Sequence, residues 1–467
     1  MDRRSFIDSV FSLVVGAAGG KHLLPLAHPS LVTVSKVNPH YFALSNGQPF
    51  VVNGLNLAWA HGLDDMAGYL KKLSAAGGNF ARVWLCHWPL EVENRYGIYD
   101  EENARNIDFL LTSASDCKIR IKFCLENTRQ IVSDPHAPFN RPQYHIDNGG
   151  PFRNIDEYIN SPQGRSIYLN RLTFLSNRYR EHPAIFGWEL WNEMNGIQCG
   201  GLDEWNGYML PRVQELFPQH LVMQSLGSFD SPGRRREYRN ITSLPSNAIG
   251  QIHRYLDEGA QLDVCKGPLD LLAADAIEEL RSYQLHKPLL LAETGAVRPS
   301  HAGPSDLYAM DKAGMMLHDM LFAPFFSGAA GSGNPWHWEE YIDKYGLWYH
   351  FGRFGAIVNG INVIAEEFQP EKDRQDRLRL YVLRGTNTTL IWCRDSRNDW
   401  RSELQAGIAP ETVSGAVVNC SGWVSPQQIK EVTCYDPWVG QWRNIEPAGR
   451  LLLPDFRRSV VIKINKN

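Results

Sequence analysis

Cysteine is scarce and poorly spaced for metal. The 467 residues hold 8 of them (Cys86, Cys117, Cys124, Cys199, Cys265, Cys393, Cys420 and Cys434), with no CxxC pair and no His/Cys ligand spacing, so a zinc site is not indicated. They are too sparse for a disulfide framework, although a single bridge among Cys393, Cys420 and Cys434 stays open. An excess of one charge is missing too. Lysine and arginine number 47 against 51 aspartates and glutamates, a formal charge of −4, which offers nothing to a polyanion without a local basic patch. The nearest candidate, Arg234-Arg235-Arg236 with Arg239, encloses Glu237 and reads as a solvated loop. A nucleic-acid partner is therefore not expected. Repeats and low-complexity tracts are absent, and no apolar run reaches the ~20 residues of a membrane span.

The N-terminus reads as an address. Asp2-Arg3-Arg4-Ser5-Phe6-Ile7 precedes a weakly hydrophobic run from Val10 to Ala18, a pattern that resembles a bacterial twin-arginine export signal. Residues 1–30 are expected to be that signal, and the protein to be secreted or periplasmic. The competing reading is a cytoplasmic protein with an amphipathic N-terminal helix.

What the chain does have is tryptophan, 14 in all, with Trp59, Trp84, Trp88, Trp188, Trp191, Trp336 and Trp338 flanking predicted strand ends. Indole faces stack on the C–H faces of pyranose rings, although any single tryptophan reads first as core.

From about residue 40, short apolar runs alternate with amphipathic stretches. The runs are Phe50–Leu57, Phe80–Leu85, Ile119–Leu125, Ile185–Trp191, Leu221–Leu226, Ala248–His253, Leu289–Glu293 and Gly328–Gly333. Near-continuous apolar runs of this length suit strands buried on both faces of a parallel sheet. Helices are predicted over Asp64–Ala76, Glu102–Asp116, Gln163–Glu181, Leu269–Leu285 and Asp306–Phe322. The alternation predicts an α/β fold, a (β/α)8 TIM barrel over residues 31–370. An open doubly wound sheet competes, but no glycine-rich phosphate loop follows the first strand. After Gln369–Asp376, which is polar and charged, helical periodicity stops. Strand-like runs separated by turns predict a small all-β, sandwich-like accessory domain over 371–467. Trp423, Trp438 and Trp442 there would bind sugar if exposed and brace the barrel if buried.

Two predicted strands end in glutamate. The fourth reads Phe186-Gly187-Trp188-Glu189-Leu190-Trp191-Asn192-Glu193, and the seventh Leu289-Leu290-Leu291-Ala292-Glu293-Thr294-Gly295. Carboxyl ends of parallel barrel strands open on one face, so Glu193 and Glu293 can meet across the mouth. Paired carboxylates suit glycoside hydrolysis. One, protonated, serves the leaving oxygen; the other, ionised, serves the anomeric carbon.

Trp-Asn-Glu on the fourth strand and Glu-Thr-Gly on the seventh resemble the clan A retaining glycoside hydrolases, family 5 (the cellulase and β-mannanase group) in particular. The resemblance implies acid/base Glu193, nucleophile Glu293, and Asn192 on the sugar 2-OH. It matches Arg82 to the arginine beside the nucleophile, His253 and Tyr255 to a sixth-strand His-x-Tyr pair, and Trp336 to the floor of the −1 subsite. A histidine usual near the third strand is absent. Glu126 and Asn127 stand there, as candidate sugar contacts, with His87 as a candidate substitute. The expected activity is cleavage of β-mannan or β-glucan bonds with no cofactor and no metal. The other readings are a non-catalytic carbohydrate-binding barrel and a metal-dependent barrel hydrolase. Endo or exo action and oligomeric state are not decided. The stretches 128–160 and 196–218 read as long loops, the first as a lid or subsite wall.

Overall fold

The computed structural model describes residues 30–134, 136–137 and 139–467. The expected export signal therefore lies, but for Ser30, outside the described residues. Seven short parallel strands alternate with helices: Gly54–Asn56, Phe80–Trp84, Arg120–Cys124, Ile185–Glu189, Leu221–Met223, Gly250–Leu256 and Leu289–Ala296. The first five pair in sequence order and the last two pair with each other, all in parallel. The Ala248 N–H donates to the Val222 carbonyl at 2.9 Å and bridges the two sheets. Residues 330–335 take the eighth place through single parallel bridges, Val52 to Gly331 and Thr294 to Pro335, and the ring closes. The result is the TIM barrel that the alternation predicts.

Two glycines let the ring close. A Cβ on Gly54 would lie 1.8 Å from the Phe80 carbonyl oxygen, and one on Gly331 would lie 2.2 Å from that of Val52. The N-terminal end is plugged by a three-stranded antiparallel sheet of Val32–Val34, Phe42–Leu44 and Pro49–Phe50. There Phe42 and Phe80 each meet Phe186 edge-on at 5.0 Å. The opposite end is left for chemistry.

The C-terminal region is a six-stranded antiparallel sheet in the spatial order Gln369–Gln375, Leu378–Arg384, Thr388–Asp395, Ser459–Lys466, Ile429–Asp436, Gln441–Ile445. One face carries Tyr381, Leu383, Leu390, Trp392 and Val461 into the barrel's own core. The other, with Leu380, Val382, Ile391 and Ile462, forms a second core. Buried ion pairs fasten the contact: Arg379 to Asp270 at 2.6 Å and Arg394 to Asp319 at 2.9 Å. Trp438 packs on His318 and donates to Ser459 Oγ at 3.1 Å, whereas Trp442 is exposed.

Several expectations need correction. Gln369–Gln375, read as a polar stretch, is a strand, and Gln441–Ile445 was not foreseen. Both are edge strands, whose exposed charged side chains erase the apolar alternation. All 8 cysteines are free thiols, so no bridge joins Cys393, Cys420 and Cys434. The Arg234–Arg236 run is not a loop but opens a helix, Arg234–Ser243. Most of 196–218 is a helix too, Leu202–Leu216. The helix expected from Asp306 starts at Met315, because the Asp311 carboxylate accepts from the N–H groups of Met315 and Met316.

Candidate active site

The C-terminal ends of strands two, four, six and seven bring the expected residues together. Glu193 follows strand four in a left-handed conformation (φ 48°), a backbone state that costs a non-glycine residue on the order of 1 kcal/mol and is found at functional sites. Its N–H donates to Ser225 Oγ at 3.1 Å, and its Oε1 pairs with His253 Nδ1 at 2.9 Å. Glu293 takes a hydrogen bond from the Tyr255 hydroxyl at 2.7 Å and one from Arg82 at 2.8 Å. Glu193, His253 and Glu293 offer atoms all within 4.8 Å of one another. A divalent cation would accept that spacing, but Arg82 already supplies positive charge at Glu293. His253 Nε2 is buried without a hydrogen-bond partner.

The two carboxyls differ in surroundings. The Glu293 side chain is 7% exposed and lies against Arg82 and Tyr255; that of Glu193 is 26% exposed. Burial raises the Glu193 carboxyl, but the His253 hydrogen bond and charge, then the Arg129 and Arg82 guanidiniums, together hold it below the ordinary carboxylate value in the empty site. Burial and the neighbouring Glu293 charge push the Tyr255 hydroxyl far up, so it stays a donor.

Beneath this pair runs a buried ladder of charge that the motifs did not reveal. Arg82 donates to Asn56 Oδ1 (3.1 Å), Glu189 Oε1 (2.5 Å) and Asn192 Oδ1 (2.7 Å) as well as to Glu293. Lys122 Nζ lies 2.8 Å from the other Glu189 oxygen. Despite burial, Arg82 and Lys122 hold Glu189 well below the carboxylate range. Lys122, Glu189, Arg82 and Glu293 thus alternate in sign, which is how four charges tolerate burial. The available signal was a charge inside an apolar strand: Lys122 within Ile121-Lys122-Phe123 and Glu189 after Trp188.

Asn192 is held on both sides, its Nδ2 donating to Asn127 Oδ1 at 3.0 Å. Trp336 belongs to an aromatic wall with Trp59, Trp84 and Trp338, ring centroids 5.4–5.5 Å from it. His87 stacks on Trp84 in the same wall. Glu126 is a correction. It is not a sugar contact, because it is fully buried against Arg141 and Arg171 at 2.8 and 3.1 Å. Burial alone would raise it, but those arginines and Thr128 pull it down to about 2. From the 128–160 stretch Arg129 reaches in, donating to the Asn192 carbonyl at 2.9 Å and lying 3.9 Å from Glu193. A cavity of roughly 790 Å³ is lined by Met194 and Asn195, the residues that follow Glu193, and by Gln198, Glu204, Arg234 and Glu237 among others.

No family model matches the chain. Curated relatives do. Mannan endo-1,4-beta-mannosidase 1 of Solanum lycopersicum is 27% identical over 297 residues, 56% of this chain and 73% of that protein. Mannan endo-1,4-beta-mannosidase 1 of Arabidopsis thaliana is 23% identical over 345 residues, 65% of this chain and 80% of its own length. In sequence the chain is thus similar to plant mannan endo-1,4-beta-mannosidases. Among solved structures, a glycoside hydrolase family 5 protein from Bacteroides vulgatus superposes with a TM-score of 0.58 at 14% identity, covering 93% of each chain. That likeness speaks for the fold, and it takes in the C-terminal sheet as well as the barrel.

Proposed function

We propose that this protein is a retaining β-mannan hydrolase in which Glu193 is the acid/base and Glu293 the nucleophile. The carrying observation is the spacing: an oxygen of each carboxyl lies within 4.8 Å of the other, which supports the ~5–5.5 Å carboxyl separation of retaining enzymes over the ~6.5–9.5 Å of inverting ones. Of the two glutamates only Glu293 takes hydrogen bonds from Arg82 and Tyr255, which supports its role as the nucleophile. Glu193, more exposed and paired with His253, faces the leaving group. Glu293 attacks the anomeric carbon as Glu193 protonates the glycosidic oxygen, the C–O bond breaks, and a covalent glycosyl-enzyme remains. Glu193, now ionised, takes a proton from water as the water oxygen attacks, and the sugar leaves with its β configuration.

The curated relatives' 1,4-β-mannosidase names support mannan over glucan. The aromatic wall around Trp336 would hold the sugar on the nucleophile's side, with Asn192 and Asn127 at its hydroxyls. The cavity lined by Met194 and Asn195 would hold the departing unit. We further propose that residues 371–467 act as an accessory domain that braces the barrel, and that residues 1–30 direct export. A helix long and apolar enough to cross a membrane is absent among the described residues. The deciding experiment is product analysis on a panel of mannans, glucans and aryl β-glycosides with wild type and Glu293→Ala. Glycan binding without turnover by the wild type would favour the binding-protein reading instead.

A further inference from the structure

Next to the glutamate pair sits a second catalytic geometry that the glycosidase reaction does not use. Ser228 Oγ lies 3.1 Å from His301 Nε2, and His301 Nδ1 lies 2.9 Å from Asp257 Oδ2. Asp257 is 2% exposed, and its other oxygen accepts from the backbone N–H groups of Gly259 (2.7 Å) and Ser300 (2.9 Å). A carboxylate so held takes the Nδ1–H of the imidazole and turns Nε2 toward the serine as an acceptor. Ser300 and His301 both have left-handed backbones, φ 62° and 58°. Backbone strain of this kind clusters at functional sites. The His301 ring packs edge-on against Tyr255 at 5.1 Å, and Tyr255 is bonded to Glu293. The three residues come from the loops after strands five, six and seven, on the same face as the glutamates.

We propose that Ser228, His301 and Asp257 form a second active centre that hydrolyses acyl esters carried by the carbohydrate in the adjoining cleft. The choice of a sugar ester rests on the carbohydrate reading above, since whatever reaches His301 lies beside Tyr255 and Glu293. Ser228 Oγ attacks the acyl carbonyl as His301 Nε2 takes its proton. The ester C–O bond breaks, the imidazolium returns the proton to the departing sugar oxygen, and an acyl-serine remains. Water, losing a proton to His301, attacks the acyl-serine, releases the carboxylic acid and restores Ser228. Acetyl is a small group of this kind.

The test uses the full chain and three substrates: a mono-O-acetylated β-1,4-manno-oligosaccharide, 4-nitrophenyl acetate and an aryl β-mannoside. A fluorophosphonate probe with peptide mass spectrometry reads the nucleophile directly. The expected result is fluorophosphonate on Ser228 and acetate release that falls at least ~10²-fold in Ser228→Ala and in His301→Gln. Glu293→Gln, which abolishes glycoside cleavage, should still release acetate. Acetate release unchanged in Ser228→Ala, or a wild type that neither takes the probe at Ser228 nor releases acetate, would overturn the proposal and leave Ser228 as a contact for sugar hydroxyls. A protein that labels at Ser228 and cleaves 4-nitrophenyl acetate but no glycoside would sustain the triad while refuting the glycosidase reading.

Discussion

Arg129→Met should move the alkaline limb of the kcat/KM–pH profile upward by about one pH unit. The guanidinium lies 3.9 Å from the Glu193 carboxyl, with side chains 22% and 26% exposed. Two unit charges at that distance interact by roughly 1–2 kcal/mol when the effective dielectric is between that of water and about half of it. Each pKa unit corresponds to about 1.36 kcal/mol, so the loss is worth about one unit. The sign follows from the role. Cleavage needs Glu193 protonated, its carboxyl is held down in the empty site, and kcat/KM reports the free enzyme. Removing a cation lets the proton stay to higher pH. The assay is kcat/KM for an aryl β-mannoside from pH 4 to 9, with ionic strength fixed because half-exposed pairs are screened. An alkaline limb that stays in place or moves down would refute the assignment of Glu193 as the acid.

Lys122→Met leaves the Glu189 charge buried with one partner fewer and should cost about 3–5 kcal/mol in denaturant unfolding, whereas Lys122→Met with Glu189→Gln should recover part of that loss. The Glu126 carboxyl is depressed from 4.5 to about 2, so its contribution is fully present above pH ~4.5 and disappears as pH falls toward 2. That depression sets an upper bound of ~3 kcal/mol, and urea unfolding of Glu126→Gln should show a shallower loss of stability over that window than wild type. Trp336→Ala should raise KM about tenfold, with its loss of stacking worth roughly 1 kcal/mol or slightly more; an unchanged KM would remove Trp336 from the sugar site.

The parallel strands were legible because burial on both faces makes them apolar throughout, and their carboxyl ends marked the face where Glu193 and Glu293 meet. Edge strands such as Gln441–Ile445 were not legible, since exposed residues carry no core pattern. In the site, Arg82, Asn192, His253 and Tyr255 were found through the family resemblance that the strand-end motifs carry; the structure sets Arg82 and Tyr255 on Glu293 and His253 on Glu193, and holds Asn192 through Arg82 and Asn127. Arg129 was missed because its partner lies 64 residues away and nothing local marks it. The Glu189–Lys122 pair was visible only as charge in apolar strands, a signal without a partner until the strands are set side by side. Glu126 shows the converse: a polar residue at a strand end faces the helices as readily as the cleft, and only Arg141 and Arg171 decide which.

The central claim, double displacement by Glu193 and Glu293, is tested most directly by the anomeric form of the first-formed product. Proton NMR during the first minutes of aryl β-mannoside hydrolysis separates the two anomers before mutarotation mixes them. The account predicts that the β-anomer appears first, and that azide restores turnover to Glu293→Ala with an α-glycosyl azide as product. First appearance of the α-anomer with the wild type would mean direct attack by water, and the covalent role of Glu293 would be wrong.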